Sequence, residues 1–190
     1  MVKIRNEIPA DVEARDDLLD RVWGSSRFGK TAERLREGRK AAAGLSFVAE
    51  RDGTIFGTVR LWHVNAGPGR PALLLGPLAI DEATRCRGIG GALMGRAITA
   101  AWRRKHRAVL LVGDAAYYQR FGFSAEKTGG LWLPGPYDRH RLLACELMPG
   151  ALDGAGGLVT ATGKAAPAQS LDTLIARLAH VSSGIWEPRT

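Results

Sequence analysis

Apolar positions along this chain switch repeatedly between a period near two and a period near 3.6, and the switches predict its elements. Lys3 to Glu7 reads as a short edge strand. Pro9 then opens a helix whose apolar face is marked by Val12, Leu18, Leu19 and Val22. A second helix is predicted from Thr31 to about Lys40. Leu45–Glu50 and Ile55–Trp62 are two β runs joined through Asp52-Gly53, a pair that tolerates positive φ and so favours a tight hairpin. A Gly/Pro loop, Asn65 to Pro71, leads to a strand over Leu73–Ile80 that is interrupted by Gly76-Pro77. Proline cannot donate to a ladder, so a bulge or a split in the sheet is expected there.

A long helix follows from about Gly90 to Lys105, with Leu93, Ala97, Ala101 and Trp102 spaced along a packing face. Ala108–Val112 is a continuous apolar run, as expected of a strand buried on both faces. A short helix from Ala115 to Phe121 stops at Gly122, and strands are predicted at Phe123–Lys127 and Arg141–Leu147. A meander followed by a strand-helix-strand unit gives an α/β chain with one mixed sheet and helices on both faces. Composition changes after Pro149. Residues 1–149 are expected to form the main domain. Residues 150–190 form a Gly/Ala-rich tail ending in a short amphipathic helix, with Ser170 as its N-cap and Leu171, Leu174, Ile175 and Leu178 as its face. The tail would pack on the domain or on a second copy of the chain, which leaves a homodimer open.

With 45 % hydrophobic residues the chain can bury a core, while no apolar run approaches the roughly 18 residues that span a bilayer. A cytoplasmic protein without membrane contact is expected. Cys86 and Cys145 lie far apart with no companion spacing, so neither a disulfide framework nor a metal site is indicated. The net charge of +8 favours anionic partners. Nucleic acid is not the expected one. The run Arg103-Arg104-Lys105-His106-Arg107 falls at the end of the long helix, where its cations offset the dipole and face water, and no interleaved aromatics accompany it.

The chemistry concentrates in Arg85-Cys86-Arg87-Gly88-Ile89-Gly90-Gly91, between a strand and a helix. Glycines there let the backbone approach a ligand, and the first free N–H groups of the helix point at it with the positive end of the dipole behind them. The stretch is an anion cradle. A second stretch, Gly24-Ser25-Ser26-Arg27-Phe28-Gly29-Lys30-Thr31, matches the nucleotide-binding P-loop pattern, and Val109–Asp114 could supply a magnesium-binding aspartate. A P-loop must leave a buried strand, however, and the residues before Gly24 have helical spacing.

The Arg-x-x-Gly-x-Gly loop resembles the pyrophosphate loop of the GNAT N-acetyltransferases. Tyr117-Tyr118-Gln119-Arg120-Phe121-Gly122-Phe123 is similar to that family's Phe-Tyr-x-x-x-Gly-Phe signature. The likeness extends from Ile4 to about Leu147, and Gly76-Pro77-Leu78-Ala79-Ile80 with Leu110–Tyr118 resembles a bacterial GNAT subfamily of predicted N-acetyltransferases. It implies a GNAT fold, splayed at the cofactor site, that transfers an acetyl group from acetyl-CoA to a primary amine by direct attack, with no metal. The main chain of Leu78, Ala79 and Ile80 would bind the pantetheine arm, and Arg85, Cys86, Arg87, Gly88, Ile89, Gly90 and Gly91 the pyrophosphate. Asp114 would lie beside the cofactor cleft, and Tyr118 would protonate the leaving thiolate. The acceptor would meet Trp23 to Lys40 and the loops near Trp62 and Leu131 to Arg141. Leu73–Ile80 carries no acidic residue to serve as the base, for which Glu50, His63, Asp114 and His140 are the candidates. The alternative is a catalytically idle domain that binds acyl-CoA.

Overall fold

The computed structural model describes residues 2–84 and 88–167. The first part is a meander. β1 (Lys3–Asn6), β2 (Ser46–Arg51), β3 (Thr54–Ala66) and β4 (Pro71–Ile80) pair antiparallel in sequence order, with the β2–β3 hairpin turning on Asp52-Gly53. Between β1 and β2 run α1 (Val12–Trp23) and α2 (Thr31–Arg34). After β4 the chain crosses over through α3 (Ile89–Arg103) to β5 (Ala108–Val112), which lies parallel to β4. α4 (Ala115–Tyr118), β6 (Leu131–Trp132), β7 (Leu142–Glu146) and β8 (Gly157–Ala161) complete the fold. The eight strands form one mixed sheet in the order β1-β2-β3-β4-β5-β7, with β8 branching from β3 and carrying β6.

Strand alternation sorts side chains to two faces. Phe47, Leu73, Leu75, Val109 and Leu111 pack against Leu93, Met94 and Ala97 of α3, whereas Val48 meets Leu18 of α1 and Leu74 and Leu110 meet Leu131, Leu152 and Val159 on the opposite side. β5 is thus buried on both faces, as its unbroken apolar run requires.

The expected break in β4 is present. Its pairing with β3 slips between Val59↔Leu78 and Leu61↔Leu75, which leaves Gly76 and Pro77 out of register. Its pairing with β5 is confined to Leu73↔Val109 and Leu74↔Leu110. Beyond Leu74 the two parallel strands diverge.

Several local expectations are overridden. The helix predicted to Lys40 ends at Arg34, because the backbone further on finds tertiary partners: Lys40 N–H donates to the Lys164 carbonyl (2.8 Å) and Arg39 bridges Ala165. Phe123–Lys127 is not a strand. Ser124 makes one isolated bridge to Ala144, and the chain then turns so that the Thr128 hydroxyl donates to the Leu142 carbonyl (2.8 Å). Val12 and Trp102, placed by periodicity on packing faces, are 41 % and 60 % exposed. Asn65 and Ala66, read as loop, extend β3 because β8 supplies the pairs Asn65↔Thr160 and Ala66↔Val159. Within the stretch expected to be a tail, Gly157–Ala161 pairs with β3 as β8. The helix expected after Ser170 lies outside the described residues. Among the described residues no helix is long and apolar enough to cross a membrane.

Candidate active site

The divergence of β4 and β5 opens a cavity of about 550 Å³. Leu75, Gly76, Pro77 and Leu78 form one side and Leu111, Val112 and Gly113 the other. Two remote segments close it: the end of α1 through Arg36, and the turn Pro136–Arg141. They are fastened to each other by the Thr31 hydroxyl, which donates to the Pro136 carbonyl, and by Arg34 Nη1, which donates to the Pro134 carbonyl (2.9 Å).

Leu78, Ala79 and Ile80 are hydrogen-bonded to β3 on one edge, opposite Val59, Thr58 and Gly57. Their other edge, facing the gap, pairs with no described strand. Extended backbone with one vacant edge accepts a further extended chain by ladder hydrogen bonds.

At the near end of the gap stands the N-terminus of α3. Gly88 is its N-cap, held at φ 75°, a conformation that any side chain would strain. The first helical bond is Ala92 N–H to the Gly88 carbonyl (3.0 Å), so the N–H groups of Ile89, Gly90 and Gly91 have no partner within the helix. Gly90 admits a neighbour: a Cβ there would meet the Tyr117 hydroxyl at 2.9 Å. Arg85, Cys86 and Arg87 lie outside the described residues.

Tyr118 lines the cavity and packs edge-on against Tyr117 (4.9 Å between centroids) and Phe123 (6.1 Å). Gly113 lies beneath it, where an added Cβ would overlap the Tyr118 ring. No described residue hydrogen-bonds the Tyr118 hydroxyl. Burial pushes its pKa up to about 12, reinforced by Tyr117 and opposed by the charge of Arg141. It is a phenol held protonated at the mouth of the gap.

Asp114 also lines the cavity, and its carboxylate caps α4 by accepting the Ala116 N–H (3.0 Å). Of the four candidate bases it alone reaches the cavity. Glu50 is paired with Arg5 (2.6 Å), His63 packs at a tilt against His106 (5.4 Å between centroids), and His140 lies exposed outside the lining. The P-loop reading fails on its context: Gly24 follows a helix, and the hydroxyl of Thr31 is engaged by Pro136. Sequence reasoning missed Gly113 and Tyr117 as supports of Tyr118; it placed the acceptor against Trp23–Lys40 and Leu131–Arg141 without singling out their cations Lys30, Arg36 and Arg141, which line the cavity.

A family model described as the acetyltransferase (GNAT) domain matches residues 42–125, which take in β2–β5, α3 and α4. The N-acetyltransferase YhbS of Escherichia coli K12 is 31 % identical over 157 residues, covering 82 % of this chain and 93 % of its own. The chain belongs to the GNAT acetyltransferase family. The crystal structure of YhbS in complex with CoA superposes with a TM-score of 0.72 over 85 % of this chain and 89 % of that one. A GNAT acetyltransferase of Brucella melitensis in complex with acetyl-CoA, 28 % identical, gives 0.54 over 80 % and 99 %. A Staphylococcus aureus member at 16 % identity shares the fold, with a TM-score of 0.56. This chain is accordingly an N-acetyltransferase with the mixed sheet of its family.

Proposed function

We propose that this acetyltransferase moves the acetyl group of acetyl-CoA onto a primary amine held in the cavity. The observation that carries the reading is the vacant edge of β4 leading from the N-terminus of α3, whose first N–H groups have no partner within the helix, to the protonated Tyr118. The solved relatives that contain CoA or acetyl-CoA support it.

Acetyl-CoA brings an activated thioester: the amine nitrogen bonds the acetyl carbon as the C–S bond breaks, the nitrogen giving up a proton and the sulfur gaining one. Leu78, Ala79 and Ile80 orient the pantetheine arm through their unpaired backbone groups. The N–H groups of Cys86, Arg87, Gly88, Ile89, Gly90 and Gly91 receive the pyrophosphate with the dipole of α3 behind them, and the Arg85 and Arg87 side chains add charge. Asp114 holds α4, and hence Tyr118, in place. The Tyr118 hydroxyl donates its proton to the departing sulfur, which is a stronger base in the transition state than in the thioester. In such a direct transfer most of the acceleration comes from orientation, so few side chains need to react. The transfer is assigned to residues 1–149, because among the described residues none that lines the cavity lies beyond Arg141.

Thermal shift with acetyl-CoA, CoA and Mg-ATP, followed by an amine panel, tests the reading. Stabilisation by the two coenzyme forms and acetylation of an amine are expected. Stabilisation by Mg-ATP alone would overturn it.

A further inference from the structure

The cavity wall that faces the gap between β4 and β5 carries more positive charge than it neutralises. Arg27, Lys30, Arg36 and Arg141 line it together with Glu33, Asp114 and Asp138. The acids are engaged. Glu33 pairs with Arg36 (2.8 Å), while Asp114 and Asp138 cap backbone N–H groups of Ala116 and His140 (3.0 Å each). Arg27 has Asp20 (2.8 Å). Lys30 and Arg141 have no carboxylate within ion-pair distance among the described residues. Lys30 Nζ instead sits 3.4 Å above the Trp23 ring, and burial, with Arg36 and Arg141 nearby, pushes its pKa down.

Arg36 is the strongest sign of a missing partner. It is only 8 % exposed, its Nε has no hydrogen-bond partner, and its Nη1 lies 3.3 Å from where a Cβ of Gly76 would stand, at the point where β4 leaves β5. Burying a guanidinium costs several kcal/mol unless its hydrogen bonds are met, and converging cations repel one another until an anion joins them. Arg141 is close enough to Tyr118 to oppose the rise in its pKa. An anion between these cations would therefore lie beside the proposed proton donor.

We propose that the acceptor is a small amine that also bears an anionic oxygen group, a carboxylate or a phosphate, received by Lys30, Arg36 and Arg141. This assignment rests on the acetyltransferase reading of the same cavity. The three cations anchor the anionic end and leave the amine to face the gap. Guanidinium groups can bind two oxygens of either anion as a fork, which an ammonium cannot, and Lys30 adds a point charge.

Matched probe pairs test it: glycine against glycinamide for the carboxylate, and phosphoethanolamine against ethanolamine for the phosphate. With the wild-type protein and acetyl-CoA, kcat/KM for one anionic member should exceed that of its neutral partner by at least about 10-fold, the usual worth of a charge-assisted hydrogen bond. Which pair shows the gap tells carboxylate from phosphate. Arg141→Gln and Lys30→Gln should each reduce that ratio by about 10-fold while moving the KM for acetyl-CoA by less than about 2-fold. Arg36→Gln should do the same, and if it does not fold the two more exposed variants carry the test. Equal rates within both pairs, or a variant that raises the KM for acetyl-CoA instead, overturns the proposal. Calorimetric binding of the same pairs to protein saturated with CoA decides the matter if turnover is slow: tighter binding of an anionic member supports it, and equal binding within both pairs overturns it. Failure of CoA itself to bind, with the anion preference retained, would count against the acetyltransferase reading and not against the anion site.

Discussion

Tyr118 combines a place in the cavity, a hydroxyl that no described residue occupies, and a pKa pushed up to about 12 by burial, which keeps the phenol in the form that can donate. Tyr118→Phe keeps the ring that packs on Tyr117 and Phe123 and removes only the proton. Its kcat should fall by about 10²-fold or more, with little change in the KM for acetyl-CoA. The pH profile adds an independent check. The donor is the neutral form, which is lost only as pH rises through the native pKa, so the ratio of wild-type to Tyr118→Phe rates should hold up to pH 10.0, where a free tyrosine is half ionised. A ratio that collapses between about pH 8 and that value would show an unshifted phenol. Gly90 makes a different forecast. A valine there must displace the Tyr117 hydroxyl and crowd the free N–H groups of α3, so Gly90→Val should weaken acetyl-CoA binding by about 10-fold or more while the protein stays folded. Titration with acetyl-CoA, alongside circular dichroism, reads both quantities.

Among the elements, α1 owes its start to a chain reversal fixed by charge. Asp11 accepts the fork of Arg5 (2.6 and 2.9 Å) and the Ile8 N–H (2.8 Å), tying the entry of the helix to β1 and, through Arg5 and Glu50, to β2. The Arg5 guanidinium holds the Asp11 carboxyl below its ordinary value of 3.8, against the opposing effect of burial. A carboxyl depressed in the native state stabilises above its unfolded pKa, and that stability is lost as pH falls through the native one. Asp11→Asn should therefore cost about 1–3 kcal/mol at neutral pH, and its deficit relative to wild type should shrink as pH drops below 3.8. Urea unfolding at neutral pH and at about pH 3 measures the difference. A deficit independent of pH would assign the effect to packing. The entry of α1 matters for function because the helix ends at the cavity wall formed by Trp23 and its successors.

On the scale of the whole molecule, β8 joins residues 157–161 to the sheet at the end of β3 distant from the β2–β3 turn, with Val159 fully buried beside Ala66. Val159→Asp places an unpaired carboxylate in that core and should lower the midpoint of the main unfolding transition by several degrees, because β3 runs from β8 to the core under α3. An unchanged main transition with a separate early one would mean that residues 150–167 unfold as an independent unit. By itself the sequence determined the elements whose cause is local: the Asp52-Gly53 hairpin, the break at Gly76-Pro77 where a ladder donor is missing, the doubly buried β5, and the glycine-rich start of α3 with Tyr118 at its expected distance. Periodicity, turn chemistry and the absence of a proline N–H act within a few residues and can be read there. Only the tertiary structure decided where the predicted helix after Thr31 stops, that Trp102 faces outward, that β6 and β8 exist, and that Arg36 is buried at the gap beside Lys30 and Arg141. Those outcomes depend on partners such as Pro136, 105 positions from Thr31, and Lys164 opposite Lys40. A short or polar segment carries no local pattern that names so distant a partner, and packing alone chooses it.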